Sequence, residues 1–306
     1  MSRKYSNTIT KSVGPYKVTL YSPDYAVVQF TQAGEHWQVN VRTLLGAGDA
    51  NPKTAKNIVE TRGLSLTPHV LGGLGNVCPH ATTCVASCLN ESGRGTSASV
   101  RHARLARYAL FFVAREWFLD KLSRELRAFG AGLPAGEIGG VRLNMFSDIP
   151  WERYGIVDSC PDNVVLYDYT KSPQRAAAQP YNLTFSYDGT IESAYHAEQL
   201  IAHGVNVSVV FHEDMPGTCG KGADKQSLPA SFFGVRVIDG TLTDWRPGDD
   251  RGVVVGLKLK ARRIVDRQAA IESGFSIETA TAADHLPLVG VKTHTGGSVR
   301  PLALFS

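Results

Sequence analysis

Three cysteines lie close together in this chain, and they are the residues best placed to do chemistry as a group. Cys78, Cys84 and Cys88 have the spacing Cys-x5-Cys-x3-Cys, whereas Cys160 and Cys219 lie far away. An odd number of cysteines in a chain of 306 residues is not the pattern of a disulfide framework. The clustered cysteines therefore predict metal ligands.

Two kinds of metal centre suit this cluster. Three thiolates without an obvious fourth ligand suit an iron-sulfur cluster that keeps one iron open. The spacing lacks the paired knuckles of a zinc ribbon, but zinc held by three cysteines and one histidine stays an alternative. The fourth ligand is then His69, His80 or His102, with Cys219 as a more distant candidate. Three thiols that hold no metal are the remaining alternative.

The elements that position the cysteines follow from hydrophobic patterning. Residues 16–43 alternate apolar and polar side chains and predict a small antiparallel meander. From residue 64 onwards, strands alternate with helices, which predicts parallel units. We therefore expect an α/β fold with a TIM-type barrel, complete or partial. Its domains are a β-meander subdomain at 1–57 and a barrel-like domain at 58–306 that carries the cysteines.

Polar residues follow several of the predicted strands. Because α/β folds build their sites at the carboxyl ends of parallel strands, these residues predict one site near the cysteines. They are Asp148, Lys171, Ser186, Asp188, His212 and Lys258. For Asp148, Ser186 and Asp188 the alternative is a turn residue that satisfies its own backbone. For Lys171 the functional interpretation is a cation that holds a phosphate or carboxylate.

Composition and charge restrict the class of protein. A hydrophobic fraction of 43% predicts a globular chain with a real core. The longest apolar stretch, residues 108–114, is too short to cross a bilayer, so we expect no membrane contact and a reducing cytoplasm. The net charge of +4 permits an anionic partner without requiring one.

A basic run follows the cysteines and is the candidate surface for nucleic acid or another anion. On the helix predicted within 97–130, these side chains can follow a phosphate backbone, and a solvated helix surface is the alternative. The residues are Arg94, Arg101, Arg104 and Arg107.

The order of these elements resembles the partial barrel of radical S-adenosylmethionine (SAM) enzymes. The cysteine loop follows the first α/β strand, Phe146-Ser147-Asp148 ends the second, and residues 184–189 are similar to that family's Ser-x-Asp-Gly strand end. The usual Cys-x3-Cys-x2-Cys spacing and the Gly-Gly-Glu stretch are absent. The resemblance implies a 4Fe-4S cluster on Cys78, Cys84 and Cys88. SAM is then bound by Asp148, Ser186 and Asp188.

The chain also resembles a group of uncharacterised phage-encoded proteins with a three-cysteine loop. The matching stretches are residues 78–95, 142–151, 167–171 and 253–260. This likeness implies a phage origin, and with it the cytoplasm of the host cell, but no activity.

These observations lead to one functional hypothesis and two alternatives. The first is a phage-type, radical-SAM-like metalloenzyme that acts on a nucleotide, a nucleic acid or a modified-base precursor, with Asp148, Lys171 and Asp188 as catalytic candidates. The second is a transglycosylase-like base-exchange enzyme with structural zinc, in which Asp148, Asp168 or Asp188 acts as nucleophile or base. The third is a non-catalytic, zinc-stabilised nucleic-acid-binding protein.

Overall fold

A computed structural model describes residues 8–47, 54–85, 88, 97–213, 225–261 and 264–282. The chain divides into two compact units. The first unit comprises residues 1–79 and 94–166, and the second comprises residues 80–93 and 167–306.

The first unit contains the predicted antiparallel meander as a four-stranded sheet in chain order. Its strands are β1 (Ile9–Val13), β2 (Tyr16–Ser22), β3 (Tyr25–Gln32) and β4 (Glu35–Val41). A two-residue turn joins β3 to β4, and both Ala33 and Gly34 have positive φ, as a type I′ hairpin turn requires. Val18 and Val28 are buried, because alternate residues of these strands face the core.

Two consecutive helices follow in the first unit, as the helical spacing of apolar residues predicts. They are α1 (Ala98–Val113) and α2 (Arg115–Gly132). Ala114, with φ of −134°, separates them. The helices bury Leu110, Phe118 and Leu122 completely. This apolar contact, more than the intrinsic helix propensity of the residues, stabilises helices of such length.

A larger, mixed sheet of ten strands accounts for the rest of the fold. In the first unit, β5 (Leu45–Ala47) pairs antiparallel with β6 (Thr61–Leu64), and β7 (Gly139–Arg142) pairs parallel with β6. The first residues of β8 (Val164–Thr170) then pair parallel with β7.

In the second unit, parallel strands again lie side by side in chain order before the order changes. The order is β8, β9, β10, β13, β12 and β11, and β14 pairs with β10. Among the described strands of this unit, only β11 runs antiparallel to its neighbour. The strands are β9 (Asn182–Ser186), β10 (Val207–His212), β11 (Ser231–Phe232), β12 (Val235–Asp239), β13 (Val254–Lys258) and β14 (Ser276–Glu278).

The described part of the second unit contains three α-helices, namely α3 (Pro173–Ala178), α4 (Ile191–Ala202) and α5 (Ile264–Glu272). Its core contains Phe185, Leu200, Val209 and Phe211, all buried. The α4 helix begins at an N-cap, Thr190, whose hydroxyl accepts the amide of Ser193.

The α/β class predicted from the sequence is confirmed, but a closed TIM-type barrel is not found. In the described part of the chain, strands β5 to β14 form an open, mixed sheet that is separate from the four-stranded meander. Closure fails to appear because β10 is followed in the sheet by β13 and then by β12, with β11 antiparallel at the edge. Among the described residues, none of the helices is long and apolar enough to cross a membrane.

Candidate metal loop and carboxyl-edge site

Cys78 begins the cysteine loop, which we define as residues 78–88, and it lies in the first unit. Its Sγ accepts the amide of His69 at 3.3 Å and donates to the carbonyl of Phe146 at 3.4 Å. Hydrogen bonds to sulfur are among the features that tune protein-bound iron-sulfur clusters. The thiol of Cys78 is therefore held in a defined position, half-buried, by backbone groups.

Asp148 lies next to this end of the loop. Asp148 is buried, and its backbone amide donates to the carbonyl of Val77 at 2.7 Å. Strand β7 ends at Arg142, so Asp148 belongs to the loop beyond the strand, and not to a strand end as the sequence predicts. Asn144 holds that loop together, since its Oδ1 accepts from the Ser147 hydroxyl, the Ile149 amide and the Trp151 indole.

Asp188 follows β9 in the second unit and contacts the middle of the cysteine loop. The hydroxyl of Thr82 donates to Asp188 Oδ2, and the hydroxyl of Thr83 donates to the Asp188 carbonyl, each at 2.5 Å. Asp188 Oδ1 accepts the amide of Thr190 at 3.1 Å and its hydroxyl at 2.8 Å. The sequence singles out Asp188, but not the two threonines, as a site residue. Nothing in the sequence around Thr82 and Thr83 indicates that these threonines contact Asp188.

The ionisation of Asp188 reflects these contacts. Burial would raise its pKa, but the hydrogen bonds from Thr82 and Thr190, together with the nearby Lys171, lower the pKa below its ordinary value. Asp188 is therefore a carboxylate at neutral pH.

Lys171 and Ser186 lie together at the carboxyl ends of β8 and β9. Lys171 Nζ donates to the Ser186 carbonyl at 3.2 Å and lies 3.5 Å from the Ser186 hydroxyl. It also lies 5.5 Å from the centroid of the Phe275 ring, at cation–π distance. His212 ends β10 and is buried, and Lys258 ends β13 and is half-buried. Lys171 and Lys258 therefore place cationic side chains at the carboxyl ends of parallel strands in the second unit.

Gly189 packs the end of β9 closely against the turn after α5. Its φ is +87°, and a Cβ atom there would lie 1.8 Å from the carbonyl oxygen of Gly274. Only glycine meets both conditions, the left-handed backbone and the close approach. The Asp188-Gly189 corner is therefore fixed by backbone contact as well as by hydrogen bonds.

The remaining ligand candidates have varied surroundings. Cys84 lies in a 3-10 turn at Thr83–Val85, and Cys84 and Cys88 are both half-buried. His80 is exposed, whereas the His102 ring packs 4.2 Å from that of Trp37. Cys219 lies outside the described residues.

Cys160 differs from the loop cysteines in its chemistry. Burial, with a smaller effect of Asp162, raises the pKa of its thiol to about 11. It therefore stays protonated at neutral pH and is a poor metal ligand.

The donor set of the cysteine loop suits a thiolate-bound metal, since three soft sulfur ligands lie within a short span and Cys78 Sγ already accepts an amide. Within the described ranges, no group of three or more histidine, cysteine, aspartate or glutamate side chains is arranged to hold a metal ion. Binding would also replace the thiol hydrogen bond from Cys78 to Phe146. The chemistry of the donors fits, and their ligand geometry would have to form on binding.

The predicted basic run is only partly presented to solvent. Arg101 is exposed, but Arg104 is buried, with its guanidinium 3.9 Å from the centroid of the Phe146 ring. Burial lowers the pKa of Arg107, although Glu125 opposes the shift. Arg94 lies outside the described residues. Of the three described arginines, Arg101 is therefore the one that is exposed, whereas Arg107 is half-buried and Arg104 is buried.

Fold and site together describe a mixed α/β protein with a cysteine loop joined to the carboxyl end of a parallel strand. A profile of the family described as Gene product 88 matches residues 38–278. The chain belongs to this phage-type family, which confirms the phage likeness predicted from the sequence. Neither the curated proteins nor the solved structures include a match to this chain.

Proposed function

We propose that this protein is a phage metalloenzyme whose Cys78, Cys84 and Cys88 hold an iron-sulfur cluster that works with SAM. One observation carries the proposal. The threonines between the first two cysteines bond to Asp188 at the carboxyl end of β9, so the loop lies where parallel α/β sheets build their active sites.

The chemistry of such a centre is the cofactor's, and the protein supplies binding and orientation. When bound, the cluster supplies the electron that cleaves SAM to a radical. We propose that the carboxylate of Asp148 holds the ammonium group of SAM and that the hydroxyl of Ser186 contacts the ribose. Lys171, whose Nζ lies against Ser186, provides a cation for a carboxylate or phosphate.

The substrate class in this proposal is a nucleotide, a nucleic acid or a modified-base precursor. Lys171 at the carboxyl edge and the exposed Arg101 on α1 support an anionic substrate. The phage family supports action in the cytoplasm of a host cell.

The test is purification without oxygen, followed by metal analysis, absorption spectroscopy and SAM titration. We expect iron and sulfide in the protein, a broad absorption near ~400 nm from thiolate-to-iron charge transfer, and saturable SAM binding. Stoichiometric zinc without iron would overturn the proposal. The base-exchange enzyme and the zinc-stabilised nucleic-acid-binding protein would then be the remaining candidates. Base-exchange activity separates these two.

A further inference from the structure

Asp188 accepts hydrogen bonds from its own turn and from the cysteine loop, and the two sets of bonds have different roles. The Thr190 amide and hydroxyl donate to Oδ1 and fix the turn before α4. The Thr82 hydroxyl donates to Oδ2, and the Thr83 hydroxyl donates to the main-chain carbonyl. The second pair of bonds joins residues 105 and 106 positions apart in the chain. A residue that only capped its own turn would make only the first pair.

We infer that Asp188 is a positioning residue that holds the cysteine loop in place, and not a group that contacts substrate or cofactor. This role of Asp188 rests on the proposed function, in which the cysteine loop binds the metal. Asp188 then has a positioning role in place of the catalytic and SAM-binding roles expected from the sequence.

The bonding capacity of the carboxylate supports this role. A carboxylate has about four acceptor positions, and three hydrogen bonds already occupy the Asp188 carboxylate. About one acceptor position, on Oδ2, therefore remains, and most of the hydrogen-bonding capacity of the carboxylate is used by the turn and the loop. The residue is also buried, with 7% of its surface exposed, which leaves little access for a substrate.

The corner that carries Asp188 is rigid enough to serve as an anchor. Its amide donates to the Ser193 hydroxyl at 3.2 Å, and Gly189 lies against the Gly274 backbone. The α4 helix, the end of β9 and the turn at Gly274 all fix this corner. The position of the cysteine loop therefore follows that of Asp188, and not the reverse. The loop threonines, by contrast, lie in a short 3-10 turn or just before it.

A second aspartate in the same unit offers a matched control. Asp239 Oδ1 accepts both the amide and the hydroxyl of Thr241, which is the same local turn that Asp188 forms with Thr190. Asp239→Ala therefore removes equivalent turn bonds without touching the cysteine loop. Any effect of Asp188→Ala beyond that of Asp239→Ala belongs to the contact with the loop.

The experiment measures the alkylation rate of Cys84 by iodoacetamide in metal-free, reduced protein, resolved by peptide mass spectrometry. We expect Thr82→Val and Asp188→Ala each to raise the rate about tenfold, the effect of losing a hydrogen bond to a charged group, with Asp239→Ala at the parent rate. The double variant should react no faster than Asp188→Ala, because both changes remove one contact. Parent rates in both single variants would overturn the inference. Thr82→Val keeps the test valid if Asp188→Ala does not fold.

Asp188→Asn separates an anchor from a cofactor ligand. The amide can keep one bond to Thr82 and one to Thr190, so we expect a Cys84 alkylation rate within about twofold of the parent. In protein that binds SAM, the same variant should keep parent affinity. Loss of SAM affinity at a parent alkylation rate would overturn the positioning role.

Metal content, measured on the same variants, keeps the two proposals distinguishable. Faster alkylation in Thr82→Val together with weaker metal binding supports both the anchor and the metal loop. Faster alkylation in a protein whose parent form binds no metal supports the anchor and removes the proposed function. If Thr82→Val has the alkylation rate and the metal affinity of the parent protein, the anchoring role of Asp188 is overturned and the proposed function is not.

Discussion

Arg104 and Phe146 form a stacked pair that supports the start of the cysteine loop. The guanidinium lies 3.9 Å from the ring centroid, and the carbonyl of Phe146 accepts the thiol of Cys78. Arg104 is 6% exposed, so the contact is largely shielded from water. An arginine that the sequence assigns to nucleic-acid binding therefore packs inside the first unit, beside the segment that holds Cys78.

Replacement of Arg104 should destabilise the protein. We expect Arg104→Ala to lower the free energy of unfolding by about 2 kcal/mol, through the lost cation–π contact and the lost packing of the side-chain stem. Arg101→Ala, one turn away and exposed, should change it by less than about 0.5 kcal/mol. Urea unfolding followed by tryptophan fluorescence measures both. Equal, small effects would show that the stacked pair carries little stability.

The fold was largely readable from the sequence where local patterns decide it. The alternation in residues 16–43 and the helical spacing in 98–132 each depend on neighbours along the chain, and the corresponding elements are present. The strand predicted at 141–146 is wrong in its bounds, because β7 is Gly139–Arg142. Leu143 and Asn144 are buried although they lie beyond the strand, and hydrophobicity alone does not distinguish such burial from strand pairing.

The candidate site was readable only in part, for a similar reason. The cysteine cluster is visible because its members are close in sequence. The hydrogen bond between Thr82 and Asp188 joins residues 106 positions apart, and no local sequence pattern predicts it. The burial of Arg104 likewise depends on Phe146, which comes 42 positions later in the chain. Sheet closure depends on the order of distant strands, which is why the sequence left a complete and a partial barrel as alternatives.

The three loop cysteines should act as a set in metal binding. We expect serine at Cys78, Cys84 or Cys88 to remove most of the bound metal, because loss of one thiolate leaves too few soft ligands. Cys160→Ser is the matched control and should keep the parent metal content. Metal analysis after desalting gives the comparison. Equal losses from all four variants would show that the loop is not the binding site.

The thiol of Cys160 should respond to pH in a characteristic way. Burial, assisted by Asp162, raises its pKa from 9.0 to about 11. Because the folded protein favours the protonated thiol, this contribution to stability is present below pH 9 and is lost as the pH rises towards about 11. The parent should therefore lose more stability than Cys160→Ser between these limits. Denaturant unfolding at pH 8 and pH 10.5 tests this, and parallel losses in both proteins would contradict it.

Gly189 should be the least replaceable residue at the carboxyl end of β9. An alanine Cβ would lie 1.8 Å from the Gly274 carbonyl oxygen, and φ is +87°, so Gly189→Ala combines a backbone clash with an unfavourable conformation. We expect a loss of about 3 to 5 kcal/mol, from roughly 1 to 2 for the conformation and the rest for the clash.

Gly204 provides the comparison that separates these two causes. It lies in the same unit with φ of +76°, but the nearest atoms to its Cβ position are 3.7 Å away, on the Arg251 side chain. Gly204→Ala should therefore cost only the conformational part, about 1 to 2 kcal/mol. Equal losses would mean that the Gly274 turn moves aside without cost. If the clash is real, Gly189→Ala should also speed alkylation of Cys84, because the displaced corner carries Asp188 and its bonds to Thr82 and Thr83.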